Sequence, residues 1–356
     1  MWDYSFAIPS ILILAILLFN YFMLQRLPVR VNKSFVALLI IEALVISSDI
    51  VSSWACEAYA ALPKTFVVLA NMLYFVFFCL RGFAFFIFTC NILGLALDEM
   101  KLKTFIAQLP MIINSLIIIS SPWTKAVFSI EENGYNRGNL YNSIIITFII
   151  YLCLTGCCAI RYLNSLKRIR EKGGVLLYIL LLAAGIIFRV LMPQVLLMDT
   201  FCVMAILCIN LIFMNPDFLI ERRTRVFNTE GLRVFLEEMY AQKYTKICAF
   251  VLCHYQEARD IYSANQMDNG IALIGAYLRR TFPDVLHFYN RTGRFIIIAK
   301  DNVNVDSIIQ TIEERFKSPW FGNDVELYLD VSFARVECNC EKYDADSIIT
   351  VLSNAL

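Results

Sequence analysis

The chain has 356 residues, 59% of them hydrophobic and 17% charged, with a mean hydropathy of +0.64. An ordinary soluble domain is less apolar than this, so membrane-spanning helices are expected and the lipid bilayer is the first partner. The net charge of +1 supplies no basic field, which argues against nucleic acid as a partner.

Residues 1–5 carry Asp3 and no Lys or Arg, and no small-x-small cleavage site follows. The first apolar run is therefore expected to stay as a helix and not to leave as a signal peptide. Apolar runs fall at 7–24, 34–51, 65–97, 105–121, 140–162, 175–191 and 201–214. Most approach the ~20 residues that cross a ~30 Å hydrocarbon layer. The last is short and can borrow from 195–199, while 65–97 reads as one long tilted helix. About seven spans result.

Orientation follows from the loops. One side would carry Arg26, Arg30, Lys33, Lys101, Lys103, Arg161, Lys167, Arg168, Arg170, Lys172, Arg222, Arg223 and Arg225, and the other only Lys64, Lys125 and Arg137. Basic loops stay in the cytoplasm, so the amino terminus is expected outside and the distal part in the cytosol. A multi-pass inner-membrane protein is therefore expected.

Glu42, Asp49, Arg81 and Arg189 fall within the apolar runs. Lone charges at that depth cost several kcal/mol, so they should face the bundle and pair. Glu42 and Asp49 are seven residues apart, hence on one helix face, and an Asp49–Arg81 or Glu42–Arg81 brace is expected. A ligand or proton site is the rival reading, although these runs hold no histidine for a relay. Trp54, Trp123, Phe128 and Tyr135 in the outer loops suit interfacial anchoring as well as ligand contact. The twelve cysteines form no spaced framework and read as reduced thiols. With only His254 and His287 available, Cys338 and Cys340 suit alternating strand positions better than a zinc site.

Beyond Asn215-Pro216 the pattern is that of a globular domain. A short linker, 215–228, leads to a helix at 229–242 capped by Asn228. A strand at 247–253 and a long helix at 257–280 follow. Strands at 285–290 and 294–300 flank the turn Arg291-Thr292-Gly293, which reads as a hairpin. Next come a helix at 305–316, a strand at 326–336 and a helix at 345–356. The order α-β-α-β-β-α-β-α suggests helices on an antiparallel sheet of the ferredoxin-like, split βαβ kind.

Three stretches carry a resemblance. Residues 221–229 read E-R-R-T-R-V-F-N-T, keeping Thr224 and Asn228 of a motif D-x-L-T-G-L-x-N-R. Arg291-Thr292-Gly293-Arg294-Phe295 occupies a hairpin whose name-giving sequence is G-G-D-E-F, matching only at Phe295. Val331-Ser332-Phe333-Ala334 and Leu352-Ser353-Asn354-Ala355-Leu356 stand where S-x-G and A-D-x-A-L are usual. In their order and spacing these residues resemble a degenerate GGDEF domain, the fold of bacterial diguanylate cyclases, and 1–214 is similar to multi-helix sensor regions that precede such domains. The expected architecture is an α-helical membrane bundle over 1–214, a linker over 215–228, and a GGDEF-like α+β cytosolic domain with a ferredoxin-like core over 229–356.

The resemblance implies carboxylates at the end of the first strand and in the hairpin, where Mg²⁺ bridges phosphates. Those positions hold Cys253, Tyr255, Gly293 and Arg294, and Arg291 and Thr292 replace the two glycines. Arg294 puts a fixed positive charge where a cation would sit. The nucleotide-contacting segment falls on 258–270 without matching polar side chains, and the product-binding R-x-x-D falls on Phe282 and Val285. No catalytic residue, cofactor or metal is expected. The reading is a membrane signalling protein of the cyclic di-GMP type whose output is dimerisation or binding of a partner signalling protein. Two rivals are a divergent cyclase using Asp260 and Asp268, and a transporter or channel with a regulatory tail.

Overall fold

The computed structural model describes residues 3, 5–95, 101–131, 134–166, 168–192, 195–322, 325–338 and 344–355. Lys167, Cys340, Leu356 and the end of the expected 65–97 run lie outside the described residues. The chain divides into two compact units, one of residues 1–24 and 30–215, the other of 25–29 and 216–356.

The first unit holds α1 (Ala7–Met23), α2 (Arg30–Glu57), α3 (Lys64–Ile92), α4 (Lys101–Thr124), α5 (Ser143–Tyr162), α6 (Ile169–Leu191) and α7 (Leu197–Phe213). The expected single helix over the third run is observed. Among the described residues five helices, α2 to α6, are long and apolar enough to cross a membrane, whereas α1 and α7 have 17 residues each. At 1.5 Å per residue those two reach about 25 Å. The most enclosed of the five is α3, packed by α2, α4 and α5. Leu12, Ile16, Phe19 and Met23 stay exposed along α1, an apolar face that hydrocarbon would cover and water would penalise. At the contact of α6 with α7, a Cβ on Gly185 would lie 3.0 Å from the Phe201 Cβ, so the missing side chain permits close approach.

A hairpin absent from the sequence reading joins α4 to α5: β1 (Phe128–Glu131) pairs antiparallel with β2 (Gly134–Arg137). The Ser121 hydroxyl anchors it, accepting from the Val127 and Phe128 amides at 3.0 and 2.9 Å. Phe128 is buried against Phe75 and is a core residue, not an interfacial anchor, whereas Trp54 and Trp123 are exposed.

The second unit contains α8 (Thr229–Leu236), β3 (Tyr244–Leu252), α9 (Tyr255–Tyr262), α10 (Ala264–Thr281), β4 (Leu286–Tyr289), β5 (Arg294–Lys300), α11 (Val305–Phe316), β6 (Trp320–Gly322), β7 (Val325–Leu327), β8 (Val331–Glu337) and α12 (Ala345–Ala355). The main sheet has the order β4-β5-β3-β8 with every neighbouring pair antiparallel. This is the split βαβ arrangement expected from the element order. Strand alternation sends Cys248, Phe250 and Leu252 into one core with Ile271, Ile274 and Ile308. Ile247 and Ala249 enter the other, with Leu232, Phe235 and Ile348. Leu27 and Val29, from the segment 25–29, are buried in that second core.

Several boundaries differ from the sequence expectation. The segment 215–228 is folded: Thr224, Val226 and Phe227 are buried, and Phe227 exchanges backbone hydrogen bonds with His287 and Tyr289 on β4. Asn228 does cap α8, accepting from the Gly231 amide at 2.9 Å. That helix stops at Leu236, since the chain must reverse into β3 through Lys243 at φ 60°. The expected 257–280 helix is two helices, because Ser263 adopts φ 74° and ends one turn system while its side chain starts the next. Apolar spacing is blind to a positive φ at a residue other than glycine. Residues 326–336 divide into β7, paired with β6, and β8, paired with β3. Cys338 lies just past β8 and is buried.

His287 on β4 is 1% exposed, and its Nε2 has no hydrogen-bond partner among the described residues. Burial, helped by the Arg279 charge, pushes its pKa from 6.5 down to about 4. Between these values the unfolded chain takes up a proton that the folded chain refuses. Stability is therefore complete above about pH 6.5 and falls toward pH 4, by up to about 3 kcal/mol. Urea titrations of the full chain in nanodiscs, read by pulse proteolysis of the second unit, should show this slope, and His287→Gln should flatten it. An identical slope in the variant would refute the assignment.

Candidate functional site

Among the described residues, two constellations put chemistry-bearing residues together. One is the end of β3 against the β4–β5 turn. Leu252 ends β3, and its amide donates to the Gly293 carbonyl at 3.0 Å. Cys253 donates to the Asp330 carbonyl at 2.8 Å, His254 turns the chain with φ 50°, and Tyr255 opens α9. Across from them Arg291, Thr292 and Gly293 take φ values of 31°, 50° and 74° in succession. Two consecutive left-handed residues with side chains are costly, and hold here because the flanking ladder fixes both ends. The Asn290 amide donates to the Arg294 carbonyl at 2.8 Å, and the Gly293 amide to the Tyr289 hydroxyl at 3.3 Å. Burial pushes the Tyr289 phenol above its ordinary range, so it stays neutral as an acceptor.

Gly293 is required by space as well as by φ. A Cβ there would meet the Tyr255 ring at 2.9 Å and the Leu252 Cβ at 3.0 Å. The structure thus brings Tyr255 to Gly293 and sets Cys253 close by along the chain. Arg291 and Thr292 are exposed on the turn and Arg294 is half-buried. Phe295 is a core residue, stacked on Phe250 with ring centroids 5.1 Å apart.

The retained motif residues do local work. Thr224 donates from both its amide and its hydroxyl to Glu221 Oε2, at 2.8 and 3.0 Å, and Asn228 is the helix cap. Asp268 is tied to Arg223 at 2.5 Å, and Asp260 is exposed on α9. Phe282 is half-buried and Val285 buried, and Arg279 donates to the Arg225 carbonyl at 3.0 Å.

The other constellation lies inside the helical unit. Arg81 is fully buried on α3 and meets two carboxylates: Glu42, with Nη2 to Oε1 at 3.0 Å and Nε to Oε2 at 2.9 Å, and Asp199, with Nη2 to Oδ1 at 2.5 Å. The Glu42–Arg81 brace is present. The Asp49–Arg81 pairing is not: Asp49 lies two turns along α2, facing Arg189 on α6, with Nη1 to Oδ2 at 3.9 Å. Arg189 also donates to the Tyr74 hydroxyl at 2.8 Å, and Ser53 donates to Asp49 at 3.4 Å. Asp199 went unread as a partner because it stands at the start of α7, outside the apolar run 201–214. Its acidic side chain beside that run was the available signal.

A cavity of about 100 Å³ adjoins the second pair only. Asp49, Ser52, Ser53 and Cys56 line it from α2, at spacings that share one helix face, and Arg189 and Arg137 border it from α6 and β2.

No protein-family model matches the chain, and no curated protein does. Solved structures do. A sensory box/GGDEF family protein from Caulobacter crescentus is 14% identical, with a TM-score of 0.35, covering 39% of this chain and 95% of that one. The FimX GGDEF domain from Pseudomonas aeruginosa is 10% identical, with a TM-score of 0.35, covering 38% and 90%. The GGDEF domain of DgcB from Caulobacter crescentus, solved with c-di-GMP, is 14% identical, with a TM-score of 0.34, covering 40% and 86%. The structure neighbours are GGDEF and diguanylate cyclase domains, and they cover the carboxyl-terminal part of the chain.

Proposed function

We propose that the chain is a bacterial inner-membrane signalling protein. Its seven helices span the bilayer with the amino terminus outside, and its GGDEF-like unit lies in the cytosol and works without cyclase chemistry. Output then comes from a homodimer or from a bound partner signalling protein. The single observation that carries the non-catalytic reading is the packing of Tyr255 on Gly293. Joining two GTP molecules needs divalent metal between phosphate oxygens and protein carboxylates. The residues here do not fit that group: Cys253, Tyr255, Gly293 and Arg294 offer a thiol, a phenol, no side chain and a guanidinium. The Tyr255 ring fills space at the turn where backbone would have to approach a nucleotide.

The test uses the full chain in nanodiscs with GTP and Mg²⁺ or Mn²⁺, with product followed by mass spectrometry. No cyclic dinucleotide is expected above the level of a protein-free control. Sustained turnover would overturn the reading and turn attention to Asp260 and Asp268, which belong to the divergent-cyclase alternative.

A further inference from the structure

The two buried charge clusters of the helical unit differ in tightness and in what lies beside them. The Arg81 cluster is closed: its guanidinium touches Glu42 and Asp199 at 2.5 to 3.0 Å and is fully buried. Arg189 and Asp49 stand 3.9 Å apart, beyond direct hydrogen-bond reach, and both border the cavity. A buried pair held that loosely recovers less of its desolvation cost than a tight one. Its geometry is oriented all the same, by Tyr74 on the arginine and Ser53 on the aspartate.

The volume of about 100 Å³ is several times the roughly 10–15 Å³ that one water needs on the same measure. It suits a molecule of a few heavy atoms. The lining is polar at specific points, and its charges are arranged in order: Asp49 on α2, Arg189 across from it on α6, and Arg137 on the exposed β2 strand, its guanidinium 4.6 Å from the Tyr141 ring centre. Arg137 and Arg189 outnumber Asp49 by one in this lining. The lining thus presents charges of both signs at separate points. A simple anion would face Asp49, and a simple cation would face two guanidinium groups.

We infer that this cavity binds a small zwitterion, one carboxylate and one cationic nitrogen a few atoms apart, with the carboxylate on Arg189 and Arg137 and the nitrogen on Asp49. Arg189 and Arg137 supply planar donors suited to a carboxylate, and the Asp49 carboxylate takes the opposite charge. This gives the helical unit a sensory role within the proposed signalling function and rests on that reading. It does not depend on whether the GGDEF-like unit turns over GTP.

Isothermal titration of the full chain in nanodiscs tests it, with glycine, alanine and betaine as probes. Glycolate, lactate and methylamine serve as partners lacking one charge. At least one zwitterion should bind saturably, about tenfold or more tighter than its singly charged counterparts. Binding by a primary ammonium probe or by betaine separates amino acids from methylated zwitterions. Asp49→Asn should weaken the bound zwitterion by about tenfold. Arg137→Ala, at an exposed position, should weaken it several-fold even if the buried variant fails to fold. No binding by any zwitterion, or equal binding by lactate and alanine, would overturn the inference. Failure here leaves the cyclase assay untouched, and turnover in that assay leaves this site standing.

Discussion

Arg81→Leu should lower the stability of the helical unit by about 3–5 kcal/mol. The substitution leaves Glu42 and Asp199 buried at 0% and 2% exposure, with the cation that held both of them removed. Breaking a buried ion cluster from one side costs this much because the remaining charge is neither solvated nor paired. A volume-matched apolar or amide replacement of the whole cluster removes the charge along with the partner. Glu42→Gln, Arg81→Met and Asp199→Asn together should therefore recover most of the loss. Thermal unfolding of the full chain in nanodiscs, with yield of folded protein, gives both numbers. A single variant as stable as the parent, or a triple variant worse than the single, would show that the cluster is not the brace.

Phe250→Ala should cost the second unit about 3–5 kcal/mol, the usual range for emptying a fully buried phenylalanine site. Phe250 sits on the central strand β3, opposite Phe295 on β5 and Phe333 on β8. Its ring centroid is 5.1 Å from that of Phe295, 5.8 Å from Phe333 and 5.9 Å from Phe316. Phe295 follows the β4–β5 turn by two residues, so the cavity should loosen the turn as well as the core. Hydrogen exchange on the full chain should then show faster opening at 290–300 than in α12, whereas Phe250→Leu should cost less than half as much. Uniform protection across the unit in the alanine variant would count against this coupling.

Much of the fold was readable from periodicity. Apolar runs located the seven α-helices of the first unit among its described residues, and Arg294–Lys300 and Val305–Phe316 came out with their observed ends. What escaped depended on single backbone conformations or on distant partners. Ser263 breaks a run of well-spaced apolar residues through one positive φ, which no hydrophobic pattern encodes. The β1–β2 hairpin rests on Ser121, near the end of α4, reaching across to two amides in a stretch that reads as polar spacer. The charges inside the apolar runs were legible as needing partners, since burial alone dictates that. Their pairing was not: Glu42 and Asp49 share a face of α2, yet two turns of helix carry them to different cations. Asp199, 118 positions from Arg81, joined only once α7 was folded beside α6, α1 and α2. At the β3 end and the β4–β5 turn, residue types already argued against metal binding, but the close fit of Tyr255 on Gly293 is a fact of three dimensions.

The placement of Leu27 and Val29 has a practical corollary. They are 1% and 4% exposed, in a core whose other members come from beyond residue 216. The α+β unit is thus discontinuous along the gene, stitched from a short early stretch and a long late one. A truncation starting at Pro216 would leave two apolar sockets open to water, at about 1.5–3 kcal/mol for each side chain lost, and would tend to self-associate. Expressing the late stretch alone therefore tests an incomplete object. Fusing residues 25–29 back through a flexible linker is the way to make it whole.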